Sequence, residues 1–483
     1  MKESIKKLTY DKWKAMPEPA KAAVAFTFSS LTLKGIAFLT TPIFTRMMSS
    51  AQYGIISKYN SWNLILEVFA LLGLTSAGVF NSGLNDYRDS RDQYISSVLS
   101  LCNISTIVVF AIVFLLKIPF GSGFILDNSL LLIMFVHFIF APAQVFWITR
   151  QRYEYKYKLA TFVSIMSAAI SQLTAVMMVL HSESETAAFA KLLGTMVGGL
   201  VFSIPIYFML HIKGKRIFNL AQWKEILIFA LPLIPHYLAQ HVMSGADRIM
   251  IADISSSSAA AIYSVVLTIS LIATVIWSAI NASLTPYVYE KLNQQEYASI
   301  NNLVTTLVAV YGIMCVGVTL VAPEVMTILA PSEYKIGIYA VPPVAAVAFL
   351  NALYNIYAII EFYHKKSKGI AVATMVSCIV NIVLNALLIP LFGFIAAAYT
   401  TLISNVVLIL MHNRNYRKCQ KPQIYNDKFI LMLSAFIIGA CEICNLLYLN
   451  TFVRYIFILL ICVLAVLRRH YLIALYKSMK KAK

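Results

Sequence analysis

The amino-acid sequence predicts an all-α polytopic membrane protein, and three observations carry that expectation. Hydrophobic residues make up 60% of the 483-residue chain and charged residues only 12%, with a mean hydropathy of +0.76, a composition foreign to soluble proteins. About fourteen apolar runs approach the ~20 residues that a spanning helix needs. The cations gather between alternate runs, as the positive-inside rule requires. Proline and glycine inside several long runs fit helices better than the short alternating strands of an outer-membrane barrel.

The elements follow in order. Segment 1–21 is lysine-rich and expected to be cytoplasmic. Runs at 22–44, 55–82, 94–116, 127–148, 159–180 and 188–211 make a first set of six, an N-lobe over 22–212. The first run is too long for a signal-peptide core and has no small-residue cleavage site, so it is read as a retained span. Runs at 227–253, 260–287, 300–322, 336–362, 369–390 and 392–411 make a second six, a C-lobe over 213–412. A cytoplasmic loop over 413–428 leads to two final runs, 429–448 and 452–467, and a basic tail, 468–483.

The net charge is +18, and its distribution matters more than its size. With the N-terminus inside, 31 cations fall in inside segments, five outside and three, Lys34, Lys58 and Arg248, within spans. Both termini are therefore expected in the cytoplasm, and a nucleic-acid partner is not. The seven cysteines lie mostly within spans, where they serve as small apolar groups, the Cys441-x-x-Cys444 pair included.

Setting SSAQYGIIS (49–57) against SSSAAAIYS (256–264) gives an offset of 207. Setting YKYKLATFVSIMS, ending at Ser167, against HKKSKGIAVATMVS, ending at Ser377, gives 210. Two offsets so close predict homologous six-span halves. An even number of spans makes them a parallel repeat about an axis along the membrane normal, with the last two spans outside it. TPIFTRMMSSAQYGIISKYNSW (41–62) is read as the turn between the first two spans, with Arg46 at the rim and Gly54 in the bend. In its copy at 251–266, Asp253 stands at the position of Arg46 and Val265 at that of Lys58.

PIFTRMMSSAQYGIIS, ADRIMI at 246–251 followed by AIYS, and NIVLNALLIPLFGFIAAA at 381–398 resemble the signatures of Wzx-type polysaccharide flippases. These belong to the multidrug/oligosaccharidyl-lipid/polysaccharide superfamily. The resemblance spans roughly 20–410, with Ala396 where these proteins often carry glycine. It implies two six-helix lobes around a central cavity with alternating access. The implied substrate is a polyprenyl-pyrophosphate-linked oligosaccharide for O-antigen, capsule or exopolysaccharide, in the bacterial cytoplasmic (inner) membrane. Membrane lipids and polysaccharide-assembly proteins would be its other partners.

Ionisable groups at bilayer depth cost about 2.5–3.5 kcal/mol on insertion scales, so those present mark function or pairing. Lys34, in mid-span with Thr27, Ser30 and Thr41 on its face, either attracts an anion such as pyrophosphate or pairs with Glu67. Glu67, on one face with Asn60 and Asn63, either carries a coupling proton or neutralises Lys34. Lys58 lines the cavity or reaches the interface. His236, Gln240, Ser244 and Asp247 share a face of the seventh span, beside Pro232 and Pro235. Asp247 and His236 are candidates for ion coupling; Lys34, Lys58, Asn60, Asn63 and Gln240 for substrate binding. Asp247 with Arg248 also reads as a local salt bridge fixing a turn, and Arg46, Gly54, Arg248 and Asp253 as turn-forming residues. Asn351 and Asn355, the Ser377, Asn381 and Asn385 ridge, and Gly194-x-x-x-Gly198 read as helix-packing features.

Asp86, Asp89 and Asp92, alternating with Arg88 and Arg91, read as a solvated, internally paired loop and not a metal site. Gly214-Lys215 lacks the rest of a Walker A sequence, so direct ATP use is not expected. The loops are too short for a soluble catalytic domain, and neither cofactor nor enzymatic activity is expected. Two alternatives remain open. An ion-coupled multidrug or small-molecule antiporter exporting cations would favour an acidic cavity, against which Lys34 stands. A membrane-embedded polysaccharide polymerase would need a large outer loop.

Overall fold

The computed structural model describes residues 16–75, 79–121 and 125–467. No strand occurs among them. The helices are α1 (Glu18–Met47), α2 (Ser50–Ala70), α3 (Val79–Asp86), α4 (Arg91–Phe120), α5 (Asn128–Tyr153), α6 (Tyr157–Leu180), α7 (Ala187–Gly214), α8 (Leu220–Ala230) and α9 (Ile234–Ile254). Next come α10 (Ser257–Asn293), α11 (Tyr297–Leu320), α12 (Ala322–Leu329), α13 (Val341–Tyr363), α14 (Ser367–Phe392), α15 (Phe394–Cys419), α16 (Asp427–Leu447) and α17 (Thr451–Leu467).

Among the described residues, twelve helical segments are long and apolar enough to cross a membrane. They coincide with twelve of the fourteen expected spans; the second and the last differ. The second, expected over 55–82, is α2, which starts earlier and stops at Ala70. Leu72 and Gly73, at φ 54° and 64°, break the chain's course there, and Lys58, Asn60, Asn63 and Glu67 dilute the helix's apolar character. The last is α17, whose bounds match the expected run, but its 17 residues fall just under the length counted for a full span. The lysine-rich residues 1–15 and the basic tail, 468–483, lie outside the described residues.

The seventh span is interrupted. Leu231–Leu233 forms a 3-10 turn between α8 and α9, with Pro232 inside it and Pro235 just after, each of which removes a backbone donor.

The chain divides into two compact units: Met1–Met48 with Tyr59–Leu238, and Ser49–Lys58 with Ala239–Lys483. Two of the three boundaries cut helices, α2 after Lys58 and α9 after Leu238.

In the first unit, α6 and α7 touch backbone to backbone. A Cβ on Gly194 would lie 2.6 Å from the Ala175 Cα, and one on Gly198 2.5 Å from the Ser171 Cα. The Thr174 hydroxyl donates to the Gly194 carbonyl at 2.6 Å, so the close packing expected of this glycine pair is present. Trp223 fastens α8 to α4, its indole N–H donating to the Ser97 carbonyl and hydroxyl at 3.0 and 2.9 Å.

The aspartate-arginine loop is not paired internally, as its alternating charges had implied. Asp92 takes Arg150, and Arg91 reaches Glu154 at 3.4 Å, so the partners come from the end of α5. Glu154 also accepts from Arg150 at 2.9 Å and Lys156 at 2.6 Å. No cluster of three metal-ligating side chains occurs among the described residues.

In the second unit, α10, α11, α13, α15 and α16 surround a core containing Trp277, Tyr311, Phe349, Tyr357 and Tyr416. Arg454 of α17 grips Glu324 of α12 through contacts of 2.5 and 3.1 Å. Cys441 and Cys444 are buried and free, as expected of apolar packing groups.

At the start of α10, the Ser256 hydroxyl accepts from the Ala259 N–H at 3.1 Å. At the start of α2, the Ser49 hydroxyl accepts from the Gln52 N–H at 3.4 Å. The two serines are repeat-related, and each relieves an orphan amide of a helix N-terminus. Gly54 does not form the bend assigned to it. It lies within α2, where an added Cβ would stand 1.8 Å from the Ser257 carbonyl oxygen, so its role is close approach to α10.

Partial burial pushes the Glu154 carboxyl up, but hydrogen bonds from Lys156 and Arg150 outweigh this and hold it below its ordinary value. A depressed carboxylate stabilises the fold above its unfolded pKa, and that stabilisation is lost as pH falls through the folded value. Glu154→Gln is therefore expected to cost about 1 kcal/mol near neutral pH. In thermal unfolding, the difference from the native chain should close on acidification below about pH 4.

Candidate functional site

The most developed polar site lies in the second unit, where α9, α10, α14 and α15 enclose Asp247. This side chain is 5% exposed and sits in an apolar helix, where an uncompensated carboxylate costs several kcal/mol. Three neutral donors compensate it. The Tyr263 hydroxyl and the Thr401 hydroxyl donate to Oδ2 at 2.9 and 2.6 Å. The Asn385 amide donates to Oδ1 at 2.7 Å.

A further ring of bonds holds these donors. The Asn385 amide also reaches the Asn381 Oδ1 at 3.3 Å, and the Asn381 amide donates to the Thr401 hydroxyl oxygen at 3.1 Å. Thr400 donates to the Asn385 Oδ1 and to the Ala397 carbonyl at 2.9 Å. Asn381, Asn385 and Thr400 are wholly buried, so each group's geometry is set by the others.

The local salt bridge read from the adjacent Asp247 and Arg248 does not form. Arg248 turns back along α9 to donate to the Ser244 carbonyl at 3.2 Å, and its buried Nε has no partner among the described residues. Neighbours in sequence on a helix are about 100° apart, so their side chains diverge. The Asp247 site thus offers one carboxylate with hydroxyl and amide oxygens; Arg248 lies near enough to feel its charge, but no basic side chain among the described residues forms an ion pair with it. Chemically it suits a proton or a small hard cation.

Sequence reasoning found Asp247 and the i, i+4 pair Asn381 and Asn385, but read the asparagines as packing groups. They are that, since they tie α14 to α15, and they also position the carboxylate. Tyr263, Thr400 and Thr401 went unnoticed, and nothing in their spacing separates them from ordinary span residues.

The other candidates fall in different places. Lys58 forms an ion pair with Asp253 at 2.5 Å, so this lysine, expected to draw an anion, is engaged by a turn residue. Arg46, at the end of α1, is exposed and donates to the Pro42 carbonyl at 3.1 Å. Of the expected stripe on the seventh span, Gln240, Ser244 and Asp247 belong to the second unit and His236 to the first. His236 is half-buried, with its Nδ1 lacking a partner among the described residues.

In the first unit, Glu67 accepts from the Thr75 hydroxyl at 3.1 Å. It does not pair with Lys34, which corrects the neutralising pair the sequence left open. Lys34 is partly exposed on α1, without an ion pair to any described residue. A Cβ on the adjacent Gly35 would meet nothing within 4 Å. Thr27 and Thr41, on its face, are satisfied by the carbonyls of Ala23 and Ala37 at 2.8 and 3.0 Å. Asn60 is exposed and Asn63 partly buried.

Known proteins place this arrangement in a family. Residues 20–292 match the model of the family described as "Polysaccharide biosynthesis protein". No curated protein matches the chain in sequence. Among solved structures, the chain is similar to "Lipid II flippase MurJ, inward closed conformation", with 14% identity and a TM-score of 0.68 over 93% of this chain and 99% of that one. It is also similar to an inward-facing multidrug resistance MATE family transporter of the MOP superfamily. There the identity is 11% and the TM-score 0.59, over 83% of this chain and 99% of the other. A MOP superfamily transporter from Pyrococcus furiosus aligns at 14% identity and a TM-score of 0.55, over 83% and 96% of the two chains. The chain is a multi-pass membrane protein that belongs to the polysaccharide biosynthesis protein family and carries the fold of MOP superfamily transporters.

Proposed function

We propose that the chain is a flippase that moves lipid-linked oligosaccharide, joined to a polyprenyl pyrophosphate, across the bacterial cytoplasmic membrane for surface polysaccharide synthesis. The two sets of six helices, over 22–212 and 213–412, would act as lobes that alternate access, with both termini in the cytoplasm. The observation that carries this reading is Lys34. An ammonium in the middle of a spanning helix, with no ion pair to a described residue, is costly unless it faces water or meets an anion. A pyrophosphate head group supplies that anion. A carrier of cationic drugs would place a carboxylate there instead.

Turnover would draw on an ion gradient, and Asp247 is the residue we assign to carry the ion. Its carboxylate is held by hydrogen bonds and forms no ion pair with a described residue, so a proton or small cation neutralises it without displacing a salt bridge. Glu67, held by Thr75, is a second candidate in the first unit. Lys58 has no part in this reading, because Asp253 already neutralises it.

Two outcomes are expected. In cells lacking the native gene, Lys34→Ala should insert normally yet reduce export about tenfold or more, the loss of one charge-assisted contact, while Lys34→Arg retains most of it. Lipid-linked oligosaccharide should accumulate on the inner leaflet; full export by Lys34→Ala would sink the assignment. Asp247→Asn, which keeps the shape and removes the charge, should abolish the dependence of export on the ion gradient in reconstituted vesicles. Unchanged gradient dependence would remove Asp247 from that role.

A further inference from the structure

A second ionisable site lies in the second unit, apart from Asp247. Glu361 of α13 and His412 of α15 are both 0% exposed and meet at 2.8 Å, Glu361 Oε1 to His412 Nδ1. Their far atoms, Glu361 Oε2 and His412 Nε2, are buried without a hydrogen-bond partner among the described residues. A pair kept only for packing is expected to have those atoms satisfied, because each orphaned polar group costs about 1–3 kcal/mol. A well-packed apolar pair would serve packing as well or better.

Aromatic and amide groups surround the pair. The Tyr354 ring stands edge-on to His412, with centroids 4.8 Å apart, and the Tyr354 hydroxyl lies within hydrogen-bonding reach of Gln240 on α9. Gln240 belongs to the same polar stripe as Asp247. His412 follows Thr401, an Asp247 ligand, by eleven positions on α15, a separation of about 16 Å along the helix. Between them Asn405, itself buried, donates to the Thr401 carbonyl at 2.8 Å.

Two titratable neighbours face the pair, Tyr354 from α13 and Cys419 from α15. Lys366, before α14, faces Cys419 in turn. Arg417 and Asp427 pair with each other, and His364 is taken by Gln420 at 2.6 Å. No charged group of α10, α11, α14 or α16 forms an ion pair with Glu361 or His412 among the described residues.

We propose that Glu361 and His412 together hold one exchangeable proton, bound between Oε1 and Nδ1, which the chain releases to water and rebinds during its transport cycle. With the proton the pair is neutral; without it the pair carries one negative charge, on Glu361. The link to the cycle rests on the transport reading above, whereas the proton site itself does not.

The test is proton release by the purified full-length protein in lipid vesicles, titrated without substrate between about pH 5 and pH 9. The native chain should release about one proton more than Glu361→Gln, and Asp247→Asn should still show that proton. His412→Gln provides the second variant, and should lose the same proton. Equal proton counts in the native chain and in either folded variant would overturn the site. In the export assay, Glu361→Gln should flatten the pH profile. Export that loses its gradient dependence in Asp247→Asn but keeps its native pH profile in Glu361→Gln and His412→Gln would leave the transport reading standing and remove this pair from the cycle.

Discussion

The cost of a charge inside an apolar helix organises this protein. Water is not available to solvate it, so each ionisable group in a span must find donors, a counter-ion or an opening. The chain uses all three solutions. Asp247 is ringed by neutral donors, Lys58 and Arg454 take counter-ions in Asp253 and Glu324, and Lys34 has no ion pair to a described residue. The first arrangement leaves a carboxylate without an ion pair, and the last leaves a cation without one, among the described residues; these are the groups to which the proposed transport roles are assigned. The groups with complete counter-charges are the ones to which no transport role is assigned.

The same economy of space governs the backbone. Gly194 and Gly198 admit α6 so closely that no side chain fits, and Gly54 does the same between α2 and α10. Such approaches replace a hydrophobic driving force that lipid cannot supply between helices, and dispersion and direct hydrogen bonds act in its stead. The Thr174 hydroxyl on the Gly194 carbonyl and the paired asparagines of α14 are the polar part of that cohesion.

The turn before α2 and the turn before α10 show how far local sequence reaches. Their serines stand at matching positions in the two halves, and both accept the amide three residues on. Capping is a local event, so the repeat made it legible. The fate of the nearby charges was not legible. Aligning the halves set Asp253 against Arg46, but in space Asp253 meets Lys58, a residue 195 positions away. Likewise Asp92 and Arg91 looked like neighbours in a self-paired loop, yet their partners stand at the end of α5.

By itself the sequence determined the membrane class, the all-helical fold and most of the spans, because hydropathy is a property of contiguous residues and the bilayer sets the length they need. It also marked Asp247, Lys34 and Glu67 as costly, since cost depends on depth in a run. Only the tertiary structure decided which of these groups is answered and by what. Tyr263, Asn385 and Thr401 come from three other helices, up to 154 positions from Asp247, and Glu361 and His412 meet across 51. Hydrogen-bond geometry is fixed within a few tenths of an ångström, and no pattern along the chain carries that convergence.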